Sequence, residues 1–319
     1  MEGKTSQYNL NVSRFMTILT MESLDIPPSS VVSAFIFCIL TYCLILLFNS
    51  MLLATIVAQR NLHKPMYILL FNLTICDLMG ATAFYPQLVC SILSQSREIS
   101  YPACALQGIL LHVYGGGSLS FLSVMAYDRY VAICKPLRYN NLMTQSTLVK
   151  LIFMVWSVNI TLIGTSFILT ISTEICRTNI VDMNCNNPSL MKLICEDTRV
   201  MNYFGYVTVI LLQSFSLLTV SLTYIKILIT CLSTKQAKSI SKAMQTCGTH
   251  LVVFLSFEIN TLFLLTSHRL ESVSPHLRRA FGISIIIFPP ILNPLIYGLK
   301  TREIRQTIFK FIQRKISSI

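Results

Sequence analysis

Four ionisable side chains interrupt otherwise apolar stretches of this 319-residue chain. Asp77 and Glu258 each stand inside a long apolar run, and Asp128 and Arg129 stand together at the end of another. An ionised side chain in the middle of a membrane costs at least about 2.5 kcal/mol. Residues of this kind are therefore expected to pair with a partner, to line an ion or proton pathway, or to bind a ligand.

No arrangement of residues in the sequence matches an enzyme centre. The chain has no glycine-rich phosphate loop, no zinc-ligand spacing and no nucleophile motif, and its serines and histidines are scattered. We therefore expect no enzymatic activity and no cofactor. Asp77 and Glu258 could relay protons or sodium in a transporter, but the chain shows no sign of two matching halves. A flux assay in vesicles separates the two classes, because a receptor moves no substrate.

The elements that carry these residues are predicted to cross a membrane. Hydrophobic residues make up 53% of the chain and charged residues 12%, about half the charged fraction of an average globular protein. Residues 26–59 contain no charged side chain, and about 20 apolar residues suffice to span the hydrocarbon layer. Because the preceding residues are polar and mixed in charge, this run is expected to be a retained span rather than a cleaved signal peptide.

The same criterion gives seven spans. The prediction is an all-α membrane protein, a seven-transmembrane helix bundle with a short cytoplasmic amphipathic helix. The bundle occupies residues 26–299, after an N-terminal segment of residues 1–25 and before a tail of residues 300–319 that carries the amphipathic helix. The predicted spans are residues 26–59, 65–92, 103–127, 151–172, 200–225, 243–266 and 280–299.

The basic residues predict the orientation. Most of the 25 Lys and Arg residues flank the spans on one side, which the positive-inside rule assigns to the cytoplasm. The C-terminus is therefore predicted to be cytoplasmic and the N-terminus extracellular, as in a multi-pass plasma-membrane protein. The net charge of +12 then reflects this topology and an attraction to anionic membrane lipid or an acidic partner. We expect no binding to nucleic acid.

Two features agree with an extracellular N-terminus. Asn11 begins an Asn-Val-Ser glycosylation acceptor in the segment assigned to the outside. Four cysteines fall at external helix ends or in the long loop before the fifth span, where disulfides persist; they are Cys104, Cys176, Cys185 and Cys195. Four cysteines allow three pairings, and the sequence alone does not choose among them.

The end of the third span carries the most specific motif. Residues 125–139 read MAYDRYVAICKPLRY. Taken alone, Asp128-Arg129 fits either a membrane-side anchor with a helix cap or a switch, in which the acid holds the arginine until a partner offers a better site. The whole string resembles the signature of odorant receptors.

Further motifs carry the same resemblance in the same order. They are KPMY at residues 64–67, SLTYIKIL at 221–228, KAMQTCGTHL at 242–251 and NPLIY at 293–297. Odorant receptors usually have Ser where Thr249 stands. The resemblance covers about residues 25–315 and identifies the chain as a member of the odorant receptor family of rhodopsin-like G-protein-coupled receptors. The KPLRY and GLKTREIR segments look more like fish than mammalian members.

The resemblance implies a function and a set of switch residues. An odorant receptor binds a small odorant within the bundle and activates a stimulatory heterotrimeric G protein, which raises cyclic AMP. Pro294 permits a bend in the seventh span, beneath which Tyr224 and Tyr297 rearrange; a static kink with packing tyrosines is the alternative. The expected coupling and switch residues are Asp128, Arg129, Tyr130, Tyr224, Lys226, Lys235, Lys238, Pro294 and Tyr297.

The resemblance also implies a disulfide pairing and a polar pocket. The disulfides are Cys104–Cys185 and Cys176–Cys195, with free loop thiols as the alternative. Asp77, Ser118 and Asn293 match family positions that face one another, so they form a sodium or water pocket or, alternatively, a purely structural hydrogen-bond network.

The odorant site of the family lies in the outer half of the bundle. Position by position, the expected contacts are Ile109, His112, Gly115, Gly116, Gly205, Thr208, Leu212, Glu258, Thr261, Leu262 and Ile283. The His112 side chain could equally form its hydrogen bond with a backbone carbonyl instead of a ligand. The glycines from Gly115 to Gly117 either enlarge the cavity or allow close helix packing, and packing is favoured.

Glu258 is the main departure from the family, which usually has an aromatic residue, commonly tyrosine, at this position. A carboxyl group there must be protonated, paired or solvated within the cavity. It either contacts a polar or cationic ligand group, such as an amine, or is a protonated acid bonded to a neighbouring helix, with His112 as one conceivable partner. No acid stands at Leu111, where related amine receptors carry theirs.

Overall fold

The computed structural model describes residues 17–22, 26–94, 96–233, 237–267, 273–300 and 304–305. Asn11, the predicted glycosylation site, and Lys235 lie outside these residues. So does the predicted amphipathic helix, except for residues 304–305. Of Lys238, only the helical backbone is described.

Among the described residues, seven helices are long and apolar enough to cross a membrane, as predicted. We label them α1 to α7 in chain order. Their bounds are Val31–Ala58, Pro65–Ser94, Tyr101–Cys134, Gln145–Ser172, Arg199–Ser233, Ala237–Ser267 and Pro275–Lys300. Because the hydrocarbon layer contains no hydrogen-bonding partner for the backbone, each apolar run forms a helix that satisfies its own peptide groups.

Helix ends differ from the predicted spans by several residues. α3, α5 and α6 extend beyond the predicted spans, since hydropathy detects only the apolar part of a helix and not its polar continuation. α1 begins later than predicted, after a 3-10 turn over Pro28–Ser30. Proline is tolerated best in the first turn of a helix. Pro27 and Pro28 therefore mark the point at which the helical segment begins.

The chain divides into two compact units. The first comprises the described residues of Met1–Tyr42, Thr82–Val113 and Ile160–Val209, and the second those of Cys43–Ala81, Tyr114–Asn159 and Ile210–Ile319. Four of the candidate acids and bases, Asp77, Asp128, Arg129 and Glu258, belong to the second unit.

In the first unit, a short strand near the N-terminus is built into the loops. Strand β1 (Ile18–Thr20) pairs antiparallel with β2 (Glu98–Ser100). On its other side, Thr20 N–H donates to the Thr178 carbonyl and Ile180 N–H to the Thr20 carbonyl, each at 2.8 Å. The side chain of Leu19 is fully buried. This strand was not predicted, because a three-residue strand has too short a pattern to be recognised.

Two disulfides tie down the loop between α4 and α5. Cys104 at the start of α3 is bonded to Cys185, with Cα atoms 5.3 Å apart, and Cys176 to Cys195, at 5.9 Å. These are the pairings that the resemblance implies. Between Cys185 and Cys195 the chain forms a short helix, Asn187–Met191. The Asn186 side chain caps this helix by accepting a hydrogen bond from the Ser189 N–H at 2.8 Å.

In the second unit, two backbone carbonyls of α7 lack their usual helical hydrogen bond because of prolines. Side chains of other helices donate to these carbonyls instead. Pro289 and Pro294 have no N–H to donate four residues back, to Ile285 and Pro290. The Tyr114 hydroxyl donates to the Ile285 carbonyl at 2.7 Å, and the Asn49 amide to the Pro290 carbonyl at 2.8 Å. α1 and α3 therefore supply the hydrogen bonds that allow proline inside α7.

The position of the Tyr114 ring depends on a glycine. A Cβ atom added at Gly80 in α2 would lie 2.5 Å from the Tyr114 ring, closer than real Cβ contacts. Only glycine at residue 80 leaves room for the ring whose hydroxyl reaches α7.

We expect Cys104→Ser and Cys185→Ser to impair folding and surface delivery to the same extent. Loss of a native disulfide costs about 2–5 kcal/mol of unfolding free energy, and the two variants remove the same bond. Surface labelling of an epitope-tagged receptor measures delivery. Cys90→Ser is the matched control, since Cys90 is an exposed free cysteine. Normal delivery of either single variant, or peptide mapping that joins Cys104 to Cys176 or Cys195, would contradict this connectivity.

Candidate functional site

The Asp128 carboxylate is the centre of a three-residue cluster at the end of α3. Its side chain is fully buried, whereas that of Arg129 is 23% exposed. Arg129 donates to one carboxylate oxygen from Nη2 at 2.6 Å and from Nε at 3.2 Å. The Tyr139 hydroxyl donates to the other oxygen at 2.7 Å. Both oxygens therefore have a partner, and the arginine is held at its own helix end.

Tyr139 is a member of this cluster that the sequence prediction did not single out. It begins a short helix, Tyr139–Leu142, in the loop after α3. Burial, followed by the hydrogen bond to Asp128, raises the pKa of the Tyr139 hydroxyl. The hydroxyl therefore stays protonated and acts as a donor.

Two lysine side chains lie near the ring of Tyr130, which follows Arg129 in the sequence. The Nζ atoms of Lys135 and Lys226 lie 5.7 and 5.5 Å from the centre of its ring, within the range of a cation–π interaction. Of the predicted coupling lysines, Lys226 is thus placed on the same surface as Arg129 and Tyr130.

The predicted tyrosine pair is connected through a histidine. The Tyr224 hydroxyl lies 2.8 Å from Nδ1 of His250 and donates to the Cys247 carbonyl at 2.9 Å. The His250 ring stacks on Tyr224 and lies 6.3 Å, between centroids, from the ring of Tyr297. Nε2 of His250 and the Tyr297 hydroxyl are buried without a hydrogen-bond partner among the described residues. His250 lies within the quoted KAMQTCGTHL motif but was not predicted as a switch residue.

Asp77 and Asn293 form the core of the predicted polar pocket. Asn293 Nδ2 donates to Asp77 Oδ2 at 2.8 Å, and both residues are nearly inaccessible to solvent. Asp77 Oδ1 and Asn293 Oδ1 are buried without a partner among the described residues, as is Ser118 Oγ, the third predicted member of the pocket.

Glu258 is buried against α5. It is 1% exposed, and its neighbours Gln213 and Ser216 are 5% and 1% exposed. With the Gln213 amide turned so that its nitrogen faces the carboxyl group, this nitrogen lies 2.7 Å from Oε1 and 3.1 Å from Oε2. The Ser216 hydroxyl lies beside the same carboxyl group, and Ser123 of α3 donates to Ser216 at 3.2 Å. Gln213 and Ser216 were not predicted, because contacts between helices leave no spacing signal.

The expected ligand contacts of the first unit are mostly half-buried. Nδ1 of His112 lies 2.8 Å from the Gly108 carbonyl, which is the alternative raised for this residue. Its ring also meets the edge of Phe167. Thr208 is buried and its hydroxyl has no partner in the described chain. Ile109 and Gly205 are half-buried.

The expected ligand contacts of the second unit differ in exposure. A Cβ atom added at Gly117 would lie 2.9 Å from Cys76 Sγ, whereas one at Gly115 meets nothing within 4 Å. The third glycine, Gly116, is buried. The packing role therefore fits Gly117, and Gly115 borders open space. Leu262 is 37% exposed, whereas three other expected contacts are half-buried: Leu212, Thr261 and Ile283.

Comparison with known proteins decides the family. The olfactory receptor family model matches residues 37–315. The chain belongs to the olfactory receptor family. Human olfactory receptor 52B2 is 32% identical over 271 residues, covering 84% of each chain, and mouse olfactory receptor 4E2 is 35% identical over 286 residues, covering 87% of this chain and 89% of the relative.

The fold agrees with this assignment. Squid rhodopsin superposes with a TM-score of 0.75 at 16% identity and covers 94% of this chain and 92% of its own. The protein is therefore a seven-helix, multi-pass plasma-membrane receptor of the G-protein-coupled class and not an enzyme. Receptors of this class bind small ligands and heterotrimeric G proteins.

We expect Tyr139→Phe to raise ligand-free signalling several-fold. The change deletes one hydrogen bond to the buried Asp128 carboxylate, and such a bond to a charged group contributes about 1.5–3 kcal/mol, less here because Tyr139 is only half-buried. The measurement is nucleotide exchange on a purified G protein without odorant. Tyr127→Phe makes the same chemical change where the hydroxyl bonds to no described residue. Equal basal exchange in the two variants would rule out a restraining role for Tyr139.

Proposed function

We propose that this receptor binds a small odorant within the bundle and activates a stimulatory heterotrimeric G protein, which raises cyclic AMP. The observation that carries the coupling proposal is the buried Asp128 carboxylate, which holds the partly exposed Arg129 at 2.6 Å. An arginine restrained at a helix end has a better site available only when a partner supplies acceptors.

The proposed orientation puts the coupling surface in the cytoplasm. Most basic residues flank the spans on the side of Arg129, and the positive-inside rule places that side inside. The disulfides lie at the opposite helix ends, which would face the oxidising exterior. The N-terminus is then extracellular, and Asn11 is available for glycosylation.

An apolar side chain and a set of cations define the proposed docking surface. Leu137, in the turn after α3, is 99% exposed. It is flanked by the exposed Lys135 and Arg138. We assign this turn to the G-protein interface, along with Arg129 and the coupling lysines Lys226, Lys235 and Lys238. Anionic membrane lipid would border the same basic surface.

The proposed mechanism is a population shift. An odorant that binds the active arrangement more tightly than the resting one moves the equilibrium by its differential affinity alone. Pro294 allows α7 to bend, and the Tyr224, His250 and Tyr297 cluster is the packing that would rearrange. The unsatisfied Tyr297 hydroxyl is consistent with a second arrangement in which it finds a partner.

A sodium ion or water fits the Asp77 pocket. The donor set is entirely oxygen and includes one carboxylate, and three of its buried oxygens have no partner within the described chain. Asp77, Ser118 and Asn293 would hold the ion, whose positive charge would offset the buried carboxylate.

The predicted ligand contacts remain proposals at single-residue level. In the second unit, Gly115, Thr261 and Ile283 are half-buried and are the contacts that we favour. Leu262, at 37% exposure, is the weakest candidate.

We expect Arg129→Ala to abolish odorant-driven cyclic AMP while surface expression stays near normal. The arginine is required for coupling in this proposal, but its side chain is not part of the packed core. Cyclic AMP and surface labelling are measured on the same cells. Arg60→Ala removes the same charge from an exposed position on the proposed cytoplasmic side and controls for topology. Signalling of normal amplitude in Arg129→Ala would show that the switch assignment is wrong, and loss of expression would favour the anchor role.

A further inference from the structure

Glu258 stands out among the buried acids because its hydrogen-bond partner within the described residues, the Gln213 amide, is neutral. The carboxyl group is 1% exposed, so bulk water does not solvate it. Within the described residues, Asp128 and Asp197 each have an arginine partner, whereas no Lys, Arg or His there forms an ion pair with Glu258. A buried carboxylate without a counter-charge is costly, and a cation that reaches it gains correspondingly.

The partners of Glu258 leave part of its acceptor capacity unused. An ionised carboxylate offers about four lone-pair sites. The Gln213 amide nitrogen approaches both oxygens, at 2.7 and 3.1 Å, and the Ser216 hydroxyl lies beside the same carboxyl group. These groups fix the orientation of the carboxyl group but bring no positive charge.

The placement of these residues suits ligand recognition. Gln213 and Ser216 are three residues apart on α5 and therefore share one helix face. On α6, Glu258 shares its face with Thr261, which is half-buried and was predicted to contact the ligand. Ser123 of α3 donates a 3.2 Å hydrogen bond to Ser216 and thereby helps to hold the Ser216 hydroxyl in place. The carboxyl group is thus fixed from α3 and α5 and projects from α6.

We propose that Glu258 is the anionic recognition group for a cationic odorant, a protonated amine, with Gln213 and Ser216 as its positioning residues. An ammonium group supplies the missing charge and the N–H donors that the free acceptor site needs. An alcohol supplies one donor and no charge, and a carboxylate ligand is repelled. This inference rests on the proposed odorant-binding function and adds the ligand class to it.

The test compares ligand series on purified receptor in nanodiscs. The probes are primary alkylamines, the alcohols of the same chain lengths and the corresponding alkanoates, and binding is measured as the rise in Tm that a native-state ligand causes. For wild type, amines should bind more tightly than the matched alcohols, and alkanoates should be weakest. In Glu258→Gln, which keeps the shape and the amide hydrogen bond, amine affinity should fall by about tenfold or more, while alcohol affinity changes little.

Two further variants separate ligand contact from a structural role. Glu258→Asp keeps the charge and should retain a preference for amines even if affinity drops. Asp197→Asn removes an exposed carboxyl group that is paired with Arg199 and should leave the amine-to-alcohol preference of binding unchanged. If amines bind no better than alcohols, or if Glu258→Gln weakens all three series equally, the carboxyl group is only a tie between α5 and α6 and the proposal is wrong.

A second readout distinguishes this inference from the proposed function. Nucleotide exchange on a purified stimulatory G protein is measured with the same ligands. Amines that raise Tm without driving exchange would leave the ligand class standing and contradict the coupling. Exchange driven by neutral ligands but not by amines would leave the coupling standing and overturn the ligand class.

Discussion

A hydrocarbon layer offers no hydrogen bonds, so each polar group within it needs a partner from the protein itself. The prolines of α7 illustrate this constraint, because each frees a carbonyl four residues back. Tyr114 and Asn49 satisfy the carbonyls of Ile285 and Pro290, and a glycine in α2 makes room for the Tyr114 ring. A helix that would be broken in isolation is therefore held by two neighbours, which also fixes where it can bend.

Under the same constraint, the three buried acids differ in how many hydrogen-bond and charge partners they have. Asp128 has an arginine and a tyrosine hydroxyl, and we propose that it is a restraint whose release frees a cation for a partner. Asp77 has one amide partner and unsatisfied oxygens around it, which suits a small ion or water. Glu258 has a neutral amide donor and no cation as a partner within the described residues. For Asp77 and Glu258, the missing partner indicates the chemistry that the site can accept.

Hydropathy predicted the seven spans because the membrane imposes one rule on every apolar run, and the resemblance supplied the disulfide pairing and the motif residues. The partners in the polar clusters were not predicted from the sequence. Tyr139, His250 and Gln213 meet their partners across helices or from a loop, and contacts of this kind leave no periodic signal in a single sequence. The strand at Ile18–Thr20 was missed for a related reason, since its pairing depends on loops distant in sequence.

The central claim is that the Asp128 carboxylate restrains Arg129 in the resting receptor. Asp128→Asn tests it most directly, because asparagine keeps the size of the side chain and can still accept a hydrogen bond from Tyr139, while the negative charge that holds the guanidinium is lost. The measurement is nucleotide exchange on a purified heterotrimeric G protein, without odorant and at matched receptor surface density. The account predicts several-fold faster basal exchange than in wild type. Exchange at or below the wild-type rate, in a variant that reaches the surface normally, would contradict it.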